Sequence, residues 1–172
     1  MKIVNDLMVP LEEYPHVYAG ASLQEVIGIL AQAMMGPTAD PSRPRDRGVL
    51  VQKRDGRVIG KLSLWDLLNG LRPNFDPPID PFGKVDDHLL WSQWLRGDLA
   101  ERARSIRVED LLQEATGAER IEATAPLDLA VHRLIRGRYL SLLVTRGGEI
   151  VGVLRLSDVF KAINDMVGVA AR

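Results

Sequence analysis

The chain has 172 residues, 46% of them hydrophobic and 26% charged, a balance that supports a buried core and argues against intrinsic disorder. Its 22 basic and 23 acidic side chains leave a formal net charge of -1, so the charge excess expected of a nucleic-acid binder is missing. It has no cysteine, which excludes disulfides, thiolate metal sites and cysteine nucleophiles.

The opening residues Met1 to Asp6 lack the apolar stretch of a secretory signal. The most apolar run, Val26 to Met35, is broken by Gln32 and falls far short of the ~20 residues that span a bilayer. A cytoplasmic location without membrane attachment is expected. In chain order, Val4-Asn5-Asp6-Leu7-Met8 comes first, and a short strand is expected around His16-Val17-Tyr18. Ser22 followed by Glu25 is a capping-box pattern; Leu23, Val26, Ile27, Leu30 and Met34 then form one apolar face of a helix running to about Met34. The stretch from Gly36 to Arg45 is polar and proline-rich, with loop chemistry. Val49-Leu50-Val51 and Val58-Ile59-Gly60, joined through Arg54-Asp55-Gly56, read as a β-hairpin, because an Asp-Gly turn supplies positive φ. A helix from about Leu64 to Leu71 closes this series.

From Pro73 to Ser105 the sequence is irregular at first and then helical. It carries Phe75, Phe82, Trp91 and Trp94, aromatic side chains that suit either the covering of apolar surface or a partner-protein interface. The earlier elements then return. A strand is expected at Arg120-Ile121-Glu122. Thr124 and Pro126 open a helix with Leu127, Ala130, Val131, Leu134 and Ile135 as its apolar stripe. Leu142-Leu143-Val144 and Ile150-Val151-Gly152 flank a Gly147-Gly148 turn, and a last helix runs from about Ser157 to Val167.

This return is a duplication. Val4 to Val108 and Leu23 to Leu127 are both separated by 104 residues, whereas Gly60 to Gly152 and Asp66 to Asp158 are separated by 92. The first copy therefore carries 12 extra residues, placed in the proline-rich stretch. The expected architecture is α/β (α+β): two β-α-β-β-α repeats related by a pseudo-twofold axis. The first repeat spans residues 1–72 with the loop insert at about 35–46, the helical aromatic connector spans 73–105, and the second repeat spans 106–172.

Each hairpin enters its last helix through a related segment: Gly60-Lys61-Leu62-Ser63-Leu64-Trp65-Asp66 in the first copy and Gly152-Val153-Leu154-Arg155-Leu156-Ser157-Asp158 in the second. A duplicated β-α-β-β-α unit with this ending resembles the tandem cystathionine-β-synthase (CBS) domain, or Bateman module. The resemblance covers roughly Val4 to Arg72 and Ile106 to Val167. It implies two clefts between the repeats, commonly filled by AMP, ADP, ATP or S-adenosylmethionine, and a homodimer. It also implies a regulatory role read out by an effector protein or by the oligomer itself. By the same resemblance Asp66 and Asp158 hold ribose hydroxyls and Ser63 approaches phosphate, while Arg155 departs from the family's Ser/Thr and stands with Ser157 at the second site. Met8 and Pro10 resemble the family's opening Met-x-Pro segment.

The chemistry fits such a site. Helix N-termini expose unpaired amides that attract phosphate, and a carboxylate offers two acceptors to a vicinal diol. Ser63-x-x-Asp66 is equally a capping box. Arg155 suits two roles as well: a bidentate phosphate contact, or a pairing with Asp158 or solvent that fills the phosphate space. Arg47 and Arg138, at strand entrances, are secondary phosphate candidates. The alternative to a sensor is a dimerisation or scaffold module whose clefts are closed by side chains, Arg155 and Trp65 among them. Catalysis is not expected, because the chain shows no nucleophile elbow, Walker loop or paired carboxylates, and His16, His88 and His132 lack metal-ligand spacing.

Overall fold

Alternation along the hairpin strands sets the layering of the molecule. In β3 (Gly48–Gln52), Val49 and Val51 point into a core under the helices, while Leu50 points the opposite way. In β6 (Ser141–Arg146), Leu142 and Val144 face the helices and Leu143 faces away. Leu50 and Leu143 meet, with Tyr14 and Val153, in a third buried cluster, so the two sheets stack face to face with helices on the outside. The computed structural model describes residues 2–36, 47–72, 81–83, 95, 98–112 and 117–168. The proline-rich insert beyond Gly36 and the connector residues Phe75, Trp91 and Trp94 lie outside them.

The first sheet has the order β2 (His16–Tyr18), β3, β4 (Val58–Ser63), with β2 parallel and β4 antiparallel to β3. The second has the order β1 (Val9–Pro10), β7 (Glu149–Arg155), β6, β5 (Arg120–Glu122), in which β5 is parallel to β6 and the other pairings are antiparallel. The helices are α1 (Leu23–Met35), α2 (Leu64–Gly70), α3 (Leu99–Ser105), α4 (Val108–Leu111), α5 (Leu127–Gly137) and α6 (Leu156–Val167). The α/β reading and the β-α-β-β-α order of each unit are thus as expected. The two-residue β1 and the short α4 come in addition.

The duplication is visible in hydrogen bonds. The Val4 amide donates to the Ala125 carbonyl at 3.0 Å, and its counterpart Val108 donates to Ala21 at 3.0 Å. Leu127 donates to Lys2 at 3.2 Å, and Leu23 donates to Ile106 at 2.9 Å. Isolated bridges join Ile3 to Pro126 and Arg107 to Ser22. Each pair maps onto the other through the 104-residue offset. Each also shows that the opening segment of one copy is seated on the other. Val4 is fully buried in the core formed by Ile121, Ala130, Leu142 and Val144, whereas Val108 is fully buried among Val17, Leu23, Val49 and Val51.

β1 extends this exchange, for it adds to β7 of the second repeat with Pro10 opposite Gly152. A Cβ at Gly152 would lie 2.5 Å from the Val9 carbonyl oxygen, so only glycine lets the two backbones approach this closely. Strand pairing also refines the offset. Val51 pairs with Gly60 and Val144 with Gly152, so the outer ends of the hairpin are 92 residues apart but β3 and β6 are 93 apart. One of the 12 extra residues therefore belongs to the first hairpin turn rather than to the proline-rich loop. Gly147 and Gly148 both have positive φ, 59° and 89°, as a two-residue hairpin turn requires.

Candidate functional site

β4 and β7 each end at the helix they feed, and that junction decides which side chains face the space between the repeats. At the first junction Ser63 caps α2. Its Oγ accepts from the Asp66 amide at 3.4 Å, and the Asp66 carboxylate accepts from the Ser63 amide at 2.7 Å and the Ser63 hydroxyl at 2.7 Å. This is a complete capping box. It spends one carboxylate oxygen of Asp66, Oδ2, and leaves the residue half-buried on the cavity wall.

At the second junction Arg155 stands in the cap position and provides no side-chain cap. Its guanidinium instead grips Asp158, with Nε donating to Oδ2 at 2.5 Å and Nη2 to Oδ1 at 2.9 Å, both side chains being 12–13% exposed. A bidentate pair of this kind occupies both Asp158 oxygens. Asp66 and Asp158, equivalent in sequence, are therefore chemically unequal.

The two junctions open onto one cavity of about 500 Å³ between the repeats. The first repeat contributes Arg47, Lys61, Ser63 and Asp66, and the second contributes Arg138, Arg155 and Ser157. Asp158, Met8 and Pro10, also singled out in the sequence, do not line this cavity. Trp65 does line it but is 73% exposed, so it does not plug the opening. Met8 packs instead against the core of the second repeat.

Sequence reasoning missed Lys61. Its ammonium crosses from β4 to the second repeat, donating to the Ser141 carbonyl at 2.8 Å and the Ser141 Oγ at 2.9 Å. Burial pushes this lysine below its usual range, opposed by the carboxylates of Glu119 and Asp66. Tyr14, Tyr139 and Phe160 add aromatic surface to the lining. The available signal was positional: Lys61 corresponds to Val153, which is fully buried between the sheets. A charge at an inter-sheet position needs a partner across the interface.

The arrangement combines flat aromatic surface, the carboxylates of Asp66 and Glu119 and several cations in a cavity of ligand size. Among the described residues no group of three or more His, Asp or Glu side chains is placed to hold a metal ion. No helix among them is long and apolar enough to cross a membrane.

Residues 118–165 match the family model of the CBS domain. The fold as a whole is similar to a CBS domain-containing protein of unknown function from Bacillus anthracis, with a TM-score of 0.66 at 16% identity, covering 96% of this chain and 94% of that one. It is similar to CBSX2 in complex with AMP, with a TM-score of 0.64 at 18% identity and coverage of 97% and 99%. A CBS-domain containing protein from Agrobacterium tumefaciens gives 0.62 at 18% identity, covering 94% and 92%. No curated protein matches the sequence. The second repeat thus matches the CBS-domain family model, and the chain as a whole has the fold of CBS-domain proteins, with two copies of the unit.

Proposed function

We propose that this chain is a regulatory module that takes an adenosyl nucleotide (AMP, ADP, ATP or S-adenosylmethionine) into the cavity between its repeats. The carrying observation is the convergence of both β-strand-to-helix junctions on one cavity, with Asp66 offered to a ribose and Arg47, Lys61 and Arg138 to phosphate. The AMP complex of CBSX2, a protein of the same fold, supports the ligand class. Ligand binding shifts the relative position of the repeats to the extent that it favours one arrangement over another. Lys61, which joins β4 to Ser141 across the repeats, is placed to transmit that shift.

The output is read by an effector protein or by a homodimer. A homodimer has a ready surface, since Trp65 and Leu68 on α2 and Phe160, Ile163 and Val167 on α6 are exposed apolar side chains. The reading is of a cytoplasmic binding module without catalysis or a tightly bound cofactor. The Ser63 hydroxyl, hydrogen-bonded to the Asp66 carboxylate on the cavity wall, already serves as a helix cap.

Thermal melting with each nucleotide tests the proposal. At a ligand concentration of 100 Kd the stabilisation is about 2.7 kcal/mol, which raises the midpoint by roughly 5–11 °C for a chain of this size. A flat response to all of them defeats the sensor reading. It would favour the second reading, a ligand-independent dimerisation scaffold, for which the closed Arg155–Asp158 pair is the supporting observation.

A further inference from the structure

Lys61 occupies a position that suits an apolar side chain. Its counterpart Val153 is fully buried between the sheets, yet Lys61 carries an amine from the same position to the wall of the cavity. The amine is fixed by two acceptors of one residue, the Ser141 carbonyl at 2.8 Å and the Ser141 Oγ at 2.9 Å, and Ser141 is itself buried. An ammonium group has three N–H donors, whereas a neutral amine has two and a lone pair. The two contacts match the two donors of the neutral form, which leaves the lone pair for the space the side chain lines.

The surroundings favour that form. Burial lowers the Lys61 pKa from 10.5 against the pull of Glu119 and Asp66, the two carboxylates on the cavity wall. The guanidiniums of Arg47, Arg138 and Arg155 share that wall and offer the amine no counter-charge. A desolvated lysine among other cations is an arrangement that makes a nucleophile. Lys2, Lys53 and Lys161 are exposed instead, so water solvates their amines. An acyltransferase cannot bring its own active site to an amine recessed in a cavity of about 500 Å³, so the reagent that reaches Lys61 is a small activated acyl compound that enters unaided.

We propose that Lys61 is a modification site, acylated from within the cavity by a small acyl phosphate. The Nζ lone pair attacks the acyl carbon and a C–N bond forms. The C–O bond to phosphate breaks, phosphate departs with the electron pair, and the surplus Nζ proton passes to solvent. The amide product keeps one N–H, so at most one of the two Ser141 contacts survives and the tie across the repeats is weakened. This chemistry needs no bound nucleotide, so its failure and the failure of the nucleotide reading are separate results.

Peptide mass spectrometry of the full chain incubated with acetyl phosphate at neutral pH measures the initial rate at each lysine. Lys61 is acetylated several-fold faster than Lys2, Lys53 and Lys161. The lead narrows as the pH is raised toward 10.5, where ordinary lysine amines also lose their protons. In denaturing urea it vanishes. Acetylation of Lys61 no faster than that of the exposed lysines overturns the proposal. So does a lead that persists in urea, because local sequence rather than the cavity would then be its cause.

Discussion

Asp66 and Asp158 sit at matching places in the first turns of α2 and α6, and what separates them is the residue three positions earlier. Ser63 is short and takes only one Asp66 oxygen, whereas Arg155 takes both oxygens of Asp158. Asp66→Ala is therefore expected to abolish most of the nucleotide-induced rise in melting temperature, since Asp66 lines the cavity and the capping box takes only its Oδ2. Asp158→Ala acts on the fold instead. It removes the bidentate partner of a mostly buried guanidinium and is expected to cost on the order of 2–4 kcal/mol in chemical denaturation. Arg155→Ser rebuilds the Ser–Asp box of the first copy and should stay within about 1 kcal/mol of wild type; a loss as large as that of Asp158→Ala would contradict this account of the pair.

Lys61 makes a prediction in pH. Its folded pKa is lowered from 10.5 by burial, so in the window between the folded value and 10.5 the unfolded chain holds more protons than the folded one. Stability contributed by this group accordingly rises with pH across that window, and it is lowest where the lysine is charged in both states. Lys61→Met removes the rise, which urea denaturation from neutral pH to 10.5 measures. Glu25 works in the opposite range. The backbone hydrogen bond from Ser22 holds its pKa below 4.5, so its capping contribution is present above 4.5 and is lost as the pH falls through the lowered value.

The elements divide into those the sequence announces and those it conceals. Helical stripes, hairpin turns and the capping box at Ser22 are local patterns, and α1, α5 and both hairpins lie close to where those patterns put them. The exchange of opening segments is not local. The 104-residue offset shows that Val4 and Val108 are equivalent, but no periodicity states which sheet each covers. Lys61 was hidden for a related reason, because a lysine in an alternating strand reads as solvent-facing until a second sheet is known to lie over it.

The crossover has a direct consequence. Val4→Ala lies in the first copy of the sequence yet is expected to weaken amide-exchange protection in β5 and β6, and Val108→Ala in β2 and β3. Each should cost about 1–3 kcal/mol through the cavity it leaves. Protection lost in the sheet of the same copy would contradict the exchange. Gly152→Ala belongs with them, since the nearest atom to its new Cβ is the Val9 backbone oxygen rather than a movable side chain. It is expected to detach β1 at a cost of about 1–3 kcal/mol.

At the scale of the whole molecule the two repeats do different work around one cavity. Each sheet buries one face under helices and the other against its partner sheet, so the space between the junctions is where polar groups of both repeats can meet a ligand. α6 carries Leu156, Phe160, Ile163 and Val167 at helical spacing as an exposed ridge beside the buried Val159 and Ala162. Phe160→Glu changes a side chain that is 70% exposed, so it leaves the fold in place and is expected to convert a dimer to a monomer in light scattering. The fold and the two junction motifs were legible in the duplicated sequence. Their convergence on one cavity, and the inequality of its two aspartates, emerge only when the side chains are placed.

The most direct measurement is a crystal structure of the chain grown with AMP. The account predicts one nucleotide between the repeats, its ribose against Asp66 and its phosphate between Arg47 and Arg138. A cavity left empty at saturating AMP, or a nucleotide seated anywhere else on the molecule, would contradict it.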